Sequence, residues 1–384
     1  MTKLEQLIKD LCPKGVEYKV IGSICSIDTG EQLNRSGLLE KGPFPVYNGG
    51  INPSGFHTEY NTPASTIAIS QGGASAGFVN FVTVPFWSGA HCYTIQNIHL
   101  CINPRFLYFL LKNLEPVLQG KKQGAGIPGL NRKQILDLTI PVPPIEVQNE
   151  IVRILDAFTE LTAELTAELT ARKQQYNHYL NELLNSTNDN VKRMHLGDIA
   201  EIYDGTHQTP KYVDNGIKFV SVENIKSLYD TNKYIEKTAY EKQKVKPRIN
   251  DVFMTRIGSI GDCTVVDRNE DLAYYVTLAL IRPNQQILLS RYLKYVIESS
   301  IGKAELRKRT LVNAVPIKIN LGDIGKIQIP VPPLEEQERI VKILDRFEAL
   351  CNDISVGLPA EIKARQQQYE YYRNKLLTFE EVKA

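Results

Sequence analysis

One stretch occurs twice in this 384-residue chain, and it constrains the fold more than any other feature. The first copy runs Ile140-Pro-Val-Pro-Pro-Ile-Glu-Val-Gln-Asn-Glu-Ile-Val-Arg-Ile-Leu-Asp-Ala-Phe158. The second runs Ile329-Pro-Val-Pro-Pro-Leu-Glu-Glu-Gln-Glu-Arg-Ile-Val-Lys-Ile-Leu-Asp-Arg-Phe347, so the starts at 140 and 329 stand 189 residues apart. A related tail follows each copy, Ala171-Arg-Lys-Gln-Gln-Tyr-Asn-His-Tyr179 and Ala364-Arg-Gln-Gln-Gln-Tyr-Glu-Tyr-Tyr372. The tails are offset by 193, so the second copy carries four extra residues. Self-similarity of this length marks one structural unit used twice.

Each copy predicts a long helix. The prolines hold the lead-in extended, and Pro144 and Pro333 suit the first helical turn, where a missing N–H costs nothing. Glu146, Glu335 and Glu336 follow at once and oppose the positive end of the helix dipole. Apolar residues then recur at three and four: Leu155, Phe158, Leu161, Leu165 and Leu169 in the first copy, Leu344, Phe347, Leu350 and Ile354 in the second. A seam of this period over about five heptads predicts a coiled coil. Forty residues at 1.5 Å each make a rod of about 60 Å. Two departures mark the middles. The first rod carries the series Thr159-Glu-Leu-Thr-Ala-Glu-Leu-Thr-Ala-Glu-Leu-Thr170, whose leucines step by four and drift around the helix. The second carries Gly357-Leu-Pro-Ala360, which predicts a break before Pro359.

The net charge of +2 hides an uneven distribution. Residues 1–139 carry 12 basic and 9 acidic side chains, and residues 191–328 carry 22 and 16. The rod segments are acidic, with 3 basic against 8 acidic in 140–190 and 8 against 10 in 329–384. Basic globules suit phosphate and acidic rods do not. The six cysteines form no CxxC pair, the N-terminus is polar, and no apolar run reaches membrane-spanning length. These features predict a cytoplasmic protein with reduced thiols and no membrane partner.

The globules repeat one plan. Met194-His-Leu-Gly-Asp-Ile-Ala-Glu-Ile-Tyr-Asp-Gly205 matches residues 19–30, with Gly22 against Gly197 and Gly30 against Gly205. Asp251-Val-Phe-Met-Thr-Arg-Ile-Gly258 matches the strand-like run from Thr66, and a helix at Ser290–Ser299 matches one at Pro104–Leu114. Each globule closes on a loop with cations: Lys121, Lys122, Gln123 and Asn131 in the first, Arg307, Lys308, Arg309 and Asn313 in the second. Flexible backbone with cations suits phosphate, and Arg suits guanine. Tyr47, Asn48, Gln71, Thr206, His207, Gln208 and Arg256 are further candidates for reading base edges. There is no Gly-x-x-x-x-Gly-Lys-Ser/Thr loop and no HExxH. His91, Cys92, His99 and Cys101 read more plainly as neighbouring strands than as a metal site, so no metal and no catalysis are expected.

The doubled motif and its Gln-Gln-Tyr tail closely resemble the specificity subunit of type I restriction–modification enzymes. The Thr-Ala-Glu-Leu series resembles the subgroup with such tetrapeptides in its central region. The resemblance implies an α+β chain: two pseudo-symmetric α/β target-recognition domains separated by two long antiparallel coiled-coil helices. The expected layout is target-recognition domain 1 at 1–139, a central helical spacer at 140–185, domain 2 at 186–328 and a distal helical spacer at 329–384. Each domain would read one half of a split double-stranded DNA site. Two modification (methyltransferase) subunits would dock on the rods and methylate adenine with S-adenosylmethionine, and restriction (motor-nuclease) subunits would bring ATP and Mg. The chain itself would hold no cofactor.

Overall fold

The computed structural model describes residues 2–121, 129–186, 191–352 and 357–382. The chain is α+β and divides into two compact units, Met1–Leu165 with Ile362–Ala384, and Thr166–Glu361. The cut differs from a division at the rod starts: each unit takes a globule, the first half of the rod that follows it, and the last half of the other rod.

In the first unit a four-stranded antiparallel sheet has the order Ser26–Thr29, Cys92–Gln96, Thr66–Ser70, Val79–Val82. Thr66–Ser70 is buried along its whole length, its polar ends included. Helix Pro104–Asn113 covers this sheet, packing Phe106, Leu107 and Leu110 into one core with Ile67, Ile69 and Ile95. The helix starts where it does because the Asn103 side chain accepts from the N–H groups of Arg105 and Phe106, with Pro104 at the first position. A second sheet joins Gly55–His57, Phe44–Tyr47 and Trp87–Ser88, the last pair parallel. A third pairs Glu17–Val20 with Thr139–Val142, so the Ile-Pro-Val lead-in of the motif is itself a strand.

The second unit repeats this topology. Its main sheet runs Ala200–Asp204, Leu278–Pro283, Val252–Thr255, Cys263–Val265, covered by helix Ser290–Glu298. Its second sheet runs Tyr212–Val213, Tyr234–Ile235, Ile217–Val220, Leu272–Tyr274, again with one parallel pair. Arg193–His195 pairs with Gln328–Pro330 at the second lead-in. Gly30 and Gly205 are equivalent because a Cβ there would strike the carbonyl of Ser88 or Tyr275 on the facing segment.

The doubled motif is explained by what it touches. The long helix spans Ile145–Ser186, and the second rod begins as helix Leu334–Asn352. Pro144 and Pro333 stand one residue before these helices, and their carbonyls accept from Gln148 and Gln337. The fully buried Gln148 amide donates to the carbonyls of Pro143 (2.7 Å) and Cys101 (2.9 Å) and accepts from the Asn103 N–H (2.8 Å). Gln337 does the same with Pro332, Ile287 and the Leu289 N–H. Asp156 pairs with Arg105 on the first globular helix, and Asp345 with Arg291 on the second. Phe158 stacks on Tyr372 at 5.5 Å within the first unit, and Phe347 on Tyr179 at 5.3 Å within the second.

Within the second unit the two rod segments pack together: Tyr179 stacks on Phe347, and Tyr176, Leu180 and Leu184 share a core with Ile340 and Leu344. Helix Leu358–Leu376 begins with Pro359 at its second position, at the expected break. In the first unit Tyr369, Leu376 and Leu377 join the core of Val147, Ile151 and Leu155. The chain end stays there, with the Tyr18 hydroxyl donating to the Phe379 carbonyl and the Val16 N–H to Glu380.

Candidate nucleic-acid interface

Both units build the same kind of end from segments far apart in sequence. In the first, Gln71 follows the buried central strand, and its N–H donates to the His91 carbonyl. Asn48 accepts from the His91 N–H at 3.0 Å, and the Leu130 N–H donates to Gln71, which brings the closing loop back to the strand end. Asn131 caps helix Arg132–Leu136, and Gln134 donates to the Lys121 carbonyl at 2.9 Å. Thus Asn48, Gln71, Lys121 and Asn131 are linked through one hydrogen-bonded neighbourhood. Tyr47 is a packing residue at its base, edge-on to Phe86, and burial raises its phenol pKa. Lys122 and Gln123 lie outside the described residues.

In the second unit Arg256 holds the place of Gln71. Its carbonyl accepts from the Ile319 N–H, as that of Gln71 accepts from Leu130. The Arg256 side chain is buried, and its guanidinium donates to Asp204 (2.8 Å) and to the Val276 and Ile319 carbonyls. Arg256 is therefore a positioning group beneath the surface. The other Asp204 oxygen lies 2.7 Å from His207 Nε2, which is itself exposed. The Thr206 hydroxyl donates to the Gln208 carbonyl and the Thr206 N–H to Tyr274, fixing this turn against the second sheet.

The basic triplet divides. Lys308 and Arg309 both pair with the buried Glu305, at 2.6 and 2.8 Å. Burial alone would raise the Glu305 carboxyl pKa, but the hydrogen bonds from Lys308 and the Gln328 N–H and the charge of Arg309 hold it below its ordinary range. Arg307 is exposed and has no ionic partner among the described residues. Asn313 is exposed on the loop beyond, beside Val312 and the fully exposed Val315.

Thr206, His207 and Gln208 line a cleft of about 790 Å³ that the sequence reading did not foresee. Its rim carries Lys211, Lys242 and Lys244, all exposed and without an ionic partner among the described residues. The signal was available: Lys242, Lys244 and Lys246 fall within five residues.

On the rods, Leu155 and Leu344 are fully buried in cores that combine globule residues with residues of the other rod, Tyr369 and Leu376 for the first and Leu180 and Leu184 for the second, and they present no surface to another protein. Any docking role falls to residues around them. Leu161, Leu165 and Leu169 are only half-buried, and Leu350 is 38% exposed. Ile354 lies outside the described residues. Among the described residues no helix is long and apolar enough to cross a membrane.

Fold and site together define a two-module α+β protein with one polar end built twice on different side chains. The family profile described as type I restriction modification DNA specificity domain matches residues 13–172 and again 188–364. A putative type I restriction enzyme specificity subunit of Haemophilus influenzae is 31% identical over 98% of each chain. A type I restriction enzyme specificity subunit of Escherichia coli is 34% identical over 72% of this chain and 70% of its own. A crystal structure of a type I restriction–modification S subunit from M. genitalium matches the fold with a TM-score of 0.63, at 17% identity, over 94% of this chain and 96% of its own. The chain belongs to the family of type I restriction–modification specificity subunits.

Proposed function

We propose that this chain is the non-catalytic DNA-reading subunit of a type I restriction–modification complex, and that each unit reads one half of a bipartite site. One observation carries the reading. The strand end, the closing loop and the turn beside the second sheet recur in both units, yet the side chains placed there differ: Gln71 with Asn48 in one, the Asp204, His207 and Arg256 group in the other. Equal frames with unequal polar groups suit two different base sequences. The long helix fixes the spacing between the half-sites, and the exposed acidic faces of the rods dock two modification subunits. S-adenosylmethionine sits on those subunits, ATP and Mg on restriction subunits, and the complex works in the cytoplasm.

The test is to replace residues 191–328 with the matching segment of another family member and map methylated adenines across the host genome. Only one half of the target should change. A change in both halves, or none, would overturn independent reading.

A further inference from the structure

Among the described residues two buried side-chain polar atoms lack a hydrogen-bond partner, Tyr274 Oη and Gln243 Oε1. Both residues line the 790 Å³ cleft of the second unit. Leaving such atoms unpaired is unfavourable, so each calls for a functional explanation. Burial raises the Tyr274 phenol pKa above its ordinary range, so the hydroxyl stays a neutral donor. The amide oxygen of Gln243 is an acceptor.

The rest of the cleft narrows the ligand. Tyr203 lines the wall half-buried, and Phe219 and Tyr274 lie almost fully buried behind it, so the cleft is backed by aromatic rings, a setting that suits a base. Its volume lies within the ~300–1,000 Å³ usual for sites that enclose a small ligand. The rim cations Lys211, Lys242 and Lys244 stand where a phosphate backbone would pass. Of the acids on the wall, Asp204 is neutralised by Arg256, and Glu236 accepts from the Thr238 hydroxyl. A base still paired in a duplex shows only its groove edge and cannot enter a walled cleft.

We propose that this cleft receives one unstacked nucleobase of the bound DNA, with the Tyr274 hydroxyl donating to the base and Gln243 Oε1 accepting from it. The inference rests on the DNA-reading function proposed above. It assigns the second unit a base taken out of the stack, in addition to groove contacts. A base edge with an acceptor beside an N–H donor, such as N7 and N6 of adenine, meets both groups.

The experiment uses the full chain assembled with its modification subunits and duplexes of the mapped target. Mismatches are introduced one position at a time across the half-site read by the second unit, keeping the base on one strand and changing its partner. A base read in place loses affinity on mismatching. A base that must leave the helix gains affinity, because the mismatch removes the cost of unpairing. One position other than the methylated adenine should bind at least about fivefold tighter when mismatched. The gain should vanish in the double variant Tyr274→Phe, Gln243→Leu. The variant's unfolding midpoint should stay equal or rise, since it loses only unpartnered atoms. A gain at the methylated adenine alone, or one that survives in the double variant, would overturn the proposal while leaving sequence-specific reading intact. Competition by free deoxynucleoside monophosphate at micromolar concentration would overturn it in favour of a mobile nucleotide. Failure of the wild-type complex to prefer its mapped target would overturn the DNA-reading function itself.

Discussion

Replacing Gln148 with Leu tests whether the doubled motif works by fastening each rod to its globule. The side chain is fully buried and makes three hydrogen bonds: two donated to the carbonyls of Pro143 and Cys101, one accepted from the Asn103 N–H. Leucine fills nearly the same space but satisfies none of these groups. Each buried group left unpaired costs about 1–3 kcal/mol. Partial exposure around Cys101 and Asn103 lets water recover part of that, and the apolar side chain returns roughly 1 kcal/mol. Asn103 also caps helix Pro104–Asn113, so a loosened Asn103 weakens the helix start by about 1 kcal/mol more. The net expectation is about 3 kcal/mol.

Hydrogen exchange on the full chain reads this locally. Amides of helix Pro104–Asn113 and of the first turns of the long helix should lose protection by about a hundredfold, at 1.36 kcal/mol per tenfold. Helix Ser290–Glu298 should keep wild-type protection. Gln337→Leu should reverse the pattern, because Gln337 fastens Leu289, Ile287 and Pro332 in the second unit. Protection lowered by less than fivefold, or lowered equally in both units by either substitution, would refute the reasoning.

Three further outcomes are expected. Arg307→Ala should weaken binding to all duplexes alike and lower the salt slope by about 0.9, whereas Arg309→Ala, which strips the buried Glu305 of a partner, should instead destabilise the second unit by roughly 1–3 kcal/mol; filter binding across salt and denaturant titration separate the two. Burial raises the Glu298 carboxyl from 4.5 to about 7, above its unfolded value, so its contribution to stability is present below pH 4.5 and lost as pH rises to about 7. Glu298→Gln should therefore remove that pH dependence and leave the protein more stable at pH 8 by on the order of 2 kcal/mol, measured by unfolding at a series of pH values. Inserting one more Thr-Ala-Glu-Leu unit after Leu169 keeps the leucines in steps of four and adds about 6 Å of rise and about 40° of net turn to the long helix. One base pair turns by roughly 34–36°, so methylome mapping should show a spacer one base pair longer with both half-sites unchanged.

Much of this protein was legible in the sequence. The doubled motif fixed two units, and periodicity placed both rods, since side-chain spacing reports directly on which face of a helix avoids water. Gly30 and Gly205, read as equivalent, do meet equivalent carbonyls. The segments around Asn48, Gln71, Thr206 and Arg256 stand out as candidates because polar residues beside turns are visible locally.

Which groups would meet was not visible. A pattern of apolar residues says that a face is buried but not everything that buries it, so Leu155 and Leu344 read as a rod–rod seam, while their cores take in the globules as well as the other rod. Arg256 and Arg309 read as free cations because their neutralising partners, Asp204 and Glu305, are chosen by how strands and helices pack. The Ile-Pro-Val lead-in became a strand only because Glu17–Val20 and Arg193–His195, more than a hundred residues earlier in each case, arrive beside it. Tertiary structure alone decided that the chain's last helix returns to the first unit, where Tyr18 donates to Phe379 across 361 residues. Local chemistry sets each segment's preference, but only closure of the whole chain selects its partner, because contacts this distant in sequence leave no spacing for a reader to detect.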